Sequence, residues 1–380
     1  MAQLGKQDAA KTTSAPTVES ELIEKLKDAA DLLDRRPIAH PILEEIIQEV
    51  QTRITMAPRG TVILLIGVAG VGVTRVARAA RDAYRRNSQP FNPYCAIEIV
   101  ARAPISTKFG WKKFFASSLA ALDEPVLGQR RRATESSLRV TTFTETAQFR
   151  GADDYRSDLE NALLRRGCSV MSVLHADFFL RRMPIEEAPH VLQLFDQLVS
   201  VCSHPRVALL SGRPSLLQII RNDSRGDLCA EVIVVPPLDV RTESGRKAAI
   251  EMLAGFEQLL INIIVPNTLT ANAEEIIHRI VGATGWVKRA ISKAISDILR
   301  LKHPRMIVWS DIRKHLPGRR VREQLEAEVR EIAEWCEYLD SGETGSPTIA
   351  LEGKPYAKRK RSGRVGERSP SRDSVGEFGE

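Results

Sequence analysis

One segment of the chain has the residue types and spacing of a phosphate-binding loop. A run of β-branched residues and leucines at 61–66 leads into Gly67, and Gly72 and Thr74 then stand where the pattern G-x-x-x-x-G-K-[ST] places them, with Gly70 between. Glycines let successive backbone N–H groups wrap around a polyphosphate, and the N-terminus of the following helix adds a favourable field. The segment therefore indicates a nucleotide-binding loop, and a glycine-rich turn without a ligand is the alternative.

The loop departs from the pattern at one position, because Val73 stands where a lysine would reach the β- and γ-phosphates. A charge-assisted hydrogen bond is worth about 1.5–3 kcal/mol, so its loss should weaken nucleotide binding roughly ten- to a hundredfold. Arg75 is close by, but one helical residue turns a side chain about 100° around the axis, which makes it a poor substitute. We expect ATP to bind weakly, if at all, and Mg²⁺ to be held through Thr74.

A working ATPase of this kind also needs carboxylates at the end of a neighbouring strand, to hold Mg²⁺ and to orient water. The strand expected at 169–174 is the candidate, yet His175 and Ala176 stand where Asp-Glu should follow it, and Asp177 comes two residues late. A lone His175 is typical of a satisfied histidine rather than a ligand. Asp177 would reach a metal if the strand slips, and a helix N-cap is the alternative. Departures at two motifs argue against ATP hydrolysis, so we assign no catalytic residue.

Strand-like apolar runs alternate with helix-like segments, which predicts crossover connections and a parallel α/β sheet. Strands are expected at 61–66, 94–100, 169–174, 206–210 and 231–235, and helices at 75–86, 111–122, 154–166 and 189–200. Two amphipathic helices between residues 22 and 54 precede the sheet, and 123–151 reads as a long polar loop. These elements would position the phosphate loop and the segment 175–177, which follows the strand expected at 169–174.

After Pro236-Pro237 the pattern becomes helical only, with helices expected at 241–261, 273–281, 287–299 and 322–339 and a short segment at 309–315. We therefore expect six parts along the chain. They are a disordered N-terminus at 1–20, N-terminal helices at 21–56, an α/β core at 57–240, a small all-helical domain at 241–316, a C-terminal helix at 317–340, and a basic disordered tail at 341–380.

The positive charge of the chain is concentrated near its C-terminus. Lys and Arg number 55 against 48 Asp and Glu, a formal net charge of +7, and the segment 354–372 alone holds eight Lys and Arg and one Glu. The candidate contacts to duplex DNA are Arg130, Arg131, Arg132, Arg319, Arg320, Lys358, Arg359, Lys360 and Arg361. Such clusters either neutralise backbone phosphates without reading sequence or are simply solvated. Aromatic residues make up 5% of the chain, which does not favour stacking on single strands.

Several other protein classes are excluded. Apolar residues at 43% and charged residues at 27% are typical of a globular protein rather than of a disordered chain. The longest apolar run, 62–73, is too short to span a membrane, and the polar N-terminus lacks a signal-peptide core, so a cytoplasmic location without membrane contact is expected. Five scattered cysteines predict reduced thiols, mostly in the core, and no zinc site. We find neither a nucleophile elbow nor a zinc-protease helix.

The chain resembles the TniB/TnsC-type AAA+ proteins of bacterial transposons from about His40 to His315. The resemblance rests on the order and spacing of several blocks. They are RPIAHPILEEI, GVAGVGVT, LENALLRRGCSVMSVLHADFFL, VALLSGRPSLLQII, VIVVPPLDV and FEQLLINIIVPNTLTANAEEIIHRIVGATGWVKRAISKAI. In these proteins ATP-driven assembly on DNA selects a target site and recruits or stimulates a transposase. The resemblance implies a P-loop AAA+ core, a helical lid, and duplex DNA, a transposase and further copies of the chain as partners.

The two nucleotide motifs of that family are matched only in part. The loop glycines and Thr74 match its Walker A loop, whereas Val73 departs from the Walker A lysine. His175 and Ala176 depart from the acids of its Walker B motif. The resemblance therefore implies the fold and a mobile-element setting, and it does not imply the ATPase cycle.

Three further motifs of the family fall on identifiable positions. Gly212 stands where sensor 1 usually offers a polar side chain. Lys288 and Arg289 fall in the sensor-2 region, which would retain a basic contact to nucleotide. An arginine finger is expected where Cys229 stands, and Arg225 is nearby.

These observations predict a catalytically degenerate AAA+ protein that acts in DNA transposition as a DNA- and partner-binding target-selection or regulatory subunit. One alternative is an active ATP-dependent transposition ATPase with an atypical loop, which turnover abolished by Thr74→Ala would favour. The other is a non-hydrolysing protein-interaction scaffold, which the absence of both DNA and ATP binding would favour.

Overall fold

A computed structural model describes residues 18–35, 41–88, 91–103, 109–124, 151–181, 183–184, 187–200, 206–221 and 230–341. The expectations for Arg130–Arg132, Arg225, Cys229, residues 1–17 and the segment 342–380 lie outside these residues. Within the described part of the chain, no helix is both long enough and apolar enough to cross a membrane.

Five parallel strands form one sheet, and its strand order is β2-β3-β4-β1-β5. The strands are β1 (Thr61–Gly67), β2 (Ala96–Val100), β3 (Val170–Leu174), β4 (Val207–Gly212) and β5 (Ala230–Val235). β1 lies between β4 and β5, and all seven of its residues are buried. A strand that is covered on both faces needs a continuous apolar run, and the sequence supplies one.

Helices cover both faces of the sheet because alternate residues of each strand point to opposite sides. In β1, Val62 and Leu64 belong to one buried cluster, whereas Ile63 and Leu65 belong to another. The helices before and between the strands are α1 (Val18–Arg35), α2 (Pro41–Met56), α3 (Val73–Asn87), α4 (Trp111–Ala121), α5 (Ala152–Arg165), α6 (Ala188–Ser200) and α7 (Leu217–Arg221). Two short 3₁₀ turns, Ala176–Phe179 and Pro214–Leu216, follow β3 and β4.

A helical lid follows the sheet and has a buried cluster of its own. Its helices are α8 (Glu243–Leu259), α9 (Ala273–Ile280), α10 (Gly285–Leu299) and α11 (Trp309–Arg313). The N-terminal helix α1 adds Leu26 and Leu33 to this cluster. The last helix, α12 (Arg319–Ser341), instead packs against the sheet. Trp335 belongs to the buried cluster on one face of the sheet, and Ile332 belongs to the cluster on the other face.

The predicted fold class, an α/β parallel sheet of the P-loop type followed by an all-helical lid, is confirmed. All five expected strands form, and most bounds agree within a few residues. Three expectations were wrong in detail. Residues 18–20 belong to α1 rather than to a disordered terminus, α12 begins a turn earlier than expected, and Ser341 still lies in that helix. The 3₁₀ turns and α7 were not anticipated, because elements of three to five residues show no clear periodicity.

One buried cysteine can be used to test how tightly the core is packed. Cys168 is fully buried, and burial raises the pKa of its thiol to about 12. Since the thiolate is the nucleophile, we expect Cys168 to resist alkylation by iodoacetamide in the native protein at about pH 8 and to react after denaturation. Peptide mass spectrometry measures both, with the partly exposed Cys336 as the internal comparison. Native labelling of Cys168 as fast as that of Cys336 would contradict this packing.

Candidate nucleotide-binding cleft

The phosphate loop lies where β1 ends and α3 begins. Gly70 and Gly72 have φ values of +91° and +113°, in the region that favours glycine, which lets the chain turn tightly into the helix. Within the described part of the chain, the backbone N–H groups of Gly72, Val73 and Thr74 have no hydrogen-bond partner. Unpaired N–H groups at a helix N-terminus bind anions. The cleft beside the loop is lined by these three residues, which therefore have backbone donors available for a ligand.

A cleft of about 870 Å³ opens between the carboxyl edge of the sheet and the lid. Every residue that the sequence assigned to nucleotide binding lines it: Gly67, Gly70, Gly72, Val73, Thr74, Arg75, Asp177, Lys288 and Arg289. The last two come from α10, more than two hundred residues along the chain from the loop. The fold thus brings the phosphate loop, Asp177 and the lid helix α10 to one place, while the role of each residue there stays a prediction.

Apolar packing lies directly beside the loop. Val73 is 8% exposed and belongs to the same buried cluster as Leu174. Leu174 is the last residue of β3 and is fully buried. The predicted departure from the strand-end acids at His175 and Ala176 stays a prediction. His175 lies exposed and stacked on Phe178 at 5.8 Å, and Ala176 is buried.

Asp177 reaches the cleft in a different way from either sequence interpretation. It lies inside the 3₁₀ turn after β3, whose N-cap is His175, so the N-cap alternative for Asp177 was wrong. Its Oδ1 atom accepts a hydrogen bond from the backbone N–H of Arg213 at 3.4 Å. A Cβ atom on Gly212 would lie 2.6 Å from this Oδ1. The carboxylate of Asp177 therefore occupies the space that a polar side chain at position 212 would need.

Cationic side chains outnumber carboxylates around the cleft. Five of its described lining residues are cationic, namely Arg75, Arg78, Arg213, Lys288 and Arg289, and two are acidic, Asp82 and Asp177. Burial lowers the pKa of Arg75, and the hydrogen bond to Glu98 raises the pKa of Arg78. The residues that line the cleft therefore carry an excess of positive formal charge.

Arg213 and Trp286 also line the cleft, and neither was identified from the sequence. Arg213 directly follows β4, and its guanidinium pairs with Glu328 of α12 at 3.5 Å. The guanidinium of Arg289 lies over the ring of Trp286, at 5.0 Å from the ring centroid. The position of Arg213 after an apolar run that ends in glycine was a usable signal, because side chains after parallel strands converge at one sheet edge.

The Ala69–Gly70 segment of the loop is held by the lid and by α12. The backbone N–H of Gly285 donates to the Gly70 carbonyl at 2.8 Å, and the indole Nε1–H of Trp286 donates to the Ala69 carbonyl at 2.9 Å. The backbone N–H of Ala69 donates to Oε2 of Glu328 at 2.8 Å. Three hydrogen bonds thus fix the Ala69–Gly70 segment, which directly precedes the residues with unpaired donors.

Among the described residues there is no group of three or more His, Cys, Asp or Glu side chains arranged to hold a metal ion. Of the predicted DNA contacts, Arg319 and Arg320 are described, and both lie exposed at the start of α12. Arg319 pairs with Glu323 at 2.8 Å. The remaining DNA-contact candidates fall outside the described ranges.

No protein-family profile and no curated protein matches the sequence. Solved structures do resemble the chain, though remotely. One is a Walker-type ATPase of Pyrococcus abyssi, with 18% identity, a TM-score of 0.45, and coverage of 82% of this chain and 79% of that one. Another is the Aeropyrum pernix ORC2 protein in ADPNP–ADP complexes, with 12% identity, a TM-score of 0.48, and coverage of 72% of this chain and 66% of that one. A third is Drosophila ORC bound to DNA, with 13% identity, a TM-score of 0.43, and coverage of 83% of this chain and 68% of that one. Function has to be argued from the cleft itself.

Replacing Gly70 by alanine should loosen the contact between loop and lid. The new Cβ would lie 2.8 Å from Cδ1 of Trp286, and alanine is strained at this positive φ. We expect Gly70→Ala to lower the free energy of unfolding by about 1–3 kcal/mol in urea denaturation.

Gly255→Ala is the matched control for that substitution. Gly255 lies inside helix α8 with nothing within 4 Å of the added Cβ, so alanine there should stabilise by about 0.5–1 kcal/mol. Equal effects of the two substitutions would contradict the placement of Trp286 against the loop.

Proposed function

We propose that this chain binds a nucleoside polyphosphate in the cleft without hydrolysing it efficiently. The unpaired N–H groups of Gly72, Val73 and Thr74, which face a cleft with an excess of cationic side chains, are the observation that carries the proposal. Together with the strand order and the lid, they support a phosphate-loop protein of the AAA+ class. The residues fit the phosphates of such a ligand, because donors and positive charge converge at the N-terminus of α3.

The same cleft is poorly equipped for phosphoryl transfer. That chemistry needs a carboxylate to hold Mg²⁺ and a second group to orient water, together with cations on the transferring group. Val73 supplies no lysine and is buried among apolar side chains, and His175 and Ala176 supply no strand-end acid. Asp177 and Thr74 line the cleft and would hold Mg²⁺ if it accompanies the nucleotide. Their presence supports the alternative of an active ATPase with an atypical loop.

The biological setting that we propose is DNA transposition, with the chain as a DNA- and partner-binding target-selection or regulatory subunit. Support comes from the resemblance to TniB/TnsC-type proteins and from the basic segments, including Arg319 and Arg320 at the exposed start of α12. Duplex DNA, a transposase and further copies of this chain are the proposed partners. A protein-interaction scaffold that binds neither ATP nor DNA is the competing function.

Introducing the missing lysine should strengthen nucleotide binding. Val73→Lys places an ammonium group where it reaches the β- and γ-phosphates, and we expect the dissociation constant for ATPγS to fall about ten- to a hundredfold. Isothermal titration on the full chain measures it. Val73→Met is the control, since it lengthens the side chain without charge and should leave the affinity within about threefold. Equal affinities of the lysine and methionine variants would contradict phosphate binding at this loop.

DNA binding should depend on salt and on the basic C-terminal segment. We expect duplex affinity to fall steeply with ionic strength, with a log–log slope of about −0.9 for each phosphate contacted. Replacing Lys358, Arg359, Lys360 and Arg361 by glutamine should flatten that slope, as fluorescence anisotropy would show, and Arg319→Gln with Arg320→Gln tests the α12 cluster separately. An unchanged slope would remove the segment from the interface. No salt-sensitive binding by the unaltered chain would contradict the DNA-binding function.

A further inference from the structure

A buried carboxylate of the last helix contacts the phosphate loop and an arginine that lines the cleft. Glu328 of α12 is 9% exposed. Its Oε2 accepts the hydrogen bond from the backbone N–H of Ala69 at 2.8 Å, and its Oε1 accepts one from Nε2 of Gln324 at 3.0 Å. The same Oε1 lies 3.5 Å from Nη1 of Arg213. Burying a carboxylate costs free energy unless it is paired, and these three partners supply the pairing.

Arg213 is held at the cleft from two directions. Its backbone N–H donates to Asp177, while its guanidinium pairs with Glu328. The side chain is about half exposed and lines the cleft together with Thr74. A guanidinium has a rigid fork of donors that matches phosphate oxygens as well as it matches a carboxylate. Glu328 and a phosphate group in the cleft would therefore compete for the same cation.

We propose that Arg213 supplies the cationic contact to the terminal phosphate that Val73 does not, and that Glu328 competes for this arginine when no nucleotide is bound. This inference rests on the proposed nucleotide binding. The γ-phosphate of a triphosphate draws Arg213 away from Glu328, whereas a diphosphate lacks the γ-phosphate that would reach it. Glu328 then loses a partner, and the contact between α12 and the loop weakens. Linkage requires the reverse as well, so a weaker Glu328 contact favours the triphosphate.

The neighbouring Glu331 provides a matched control on the same helix. It lies three residues along α12 and pairs with Arg221 of α7 at 3.4 Å, and neither residue lines the cleft. Glu331→Gln therefore removes one partly buried carboxylate–guanidinium pair of α12 without touching the loop. Glu328→Gln keeps an oxygen that accepts from Ala69 while removing the charge that holds Arg213.

The test compares ATPγS and ADP by isothermal titration on four full-length variants and the unaltered chain. We expect Glu328→Gln to tighten ATPγS about three- to tenfold and to leave ADP unchanged. Arg213→Gln should weaken ATPγS about tenfold with a much smaller effect on ADP. The double variant should bind ATPγS like Arg213→Gln alone, because the two residues act through one interaction. Glu331→Gln should change neither affinity.

A Glu328→Gln effect that is equal for ATPγS and ADP, or that persists in the Arg213→Gln background, would overturn the inference while leaving nucleotide binding in place. If the unaltered chain binds neither nucleotide, the proposed function itself fails. Hydrogen exchange gives a second readout: ATPγS, but not ADP, should raise exchange in the α12 peptide that contains Glu328. Equal protection of that peptide with both nucleotides would contradict the release of Glu328.

Discussion

The hydrogen bonds of the Ala69–Gly70 segment tie together three parts of the structure, namely the phosphate loop, the lid and α12. Its carbonyl groups accept from Gly285 and Trp286 of the lid, and the Ala69 N–H donates to Glu328 of α12. Because this segment is held in this way, the loop keeps its tight turn through the protein's own contacts. The unpaired N–H groups of the following residues then need no rearrangement of the loop to donate to a ligand in the cleft.

Apolar packing reaches the beginning of α3, directly beside the loop. A lysine at position 73 would have to be desolvated next to the core unless an anion paired with it. Val73 instead extends the cluster that packs α3 against the sheet and that includes Leu174. The cations that line the cleft come from other elements as well as from α3, above all Arg213 after β4 and Lys288 and Arg289 on α10.

Much of this architecture was predictable from local patterns, because buried parallel strands such as β1 are continuous apolar runs and the lid helices have a clear period. The spacing of the loop glycines also identified one wall of the cleft, and Lys288 and Arg289 were found through the family resemblance. Arg213 and Glu328 were missed, since their pairing joins residues more than a hundred positions apart and leaves no local signal. The end of β3 was predictable as well, since the apolar run stops at Leu174.

The central claim is that this cleft holds a nucleoside triphosphate and leaves it intact. The most direct measurement follows ATP on the full chain in the presence of Mg²⁺, with binding from isothermal titration and phosphate release from the same samples. The claim predicts saturable binding with phosphate release no faster than in a sample without protein. Phosphate release that is catalytic and that Thr74→Ala abolishes would contradict it, as would the absence of any binding.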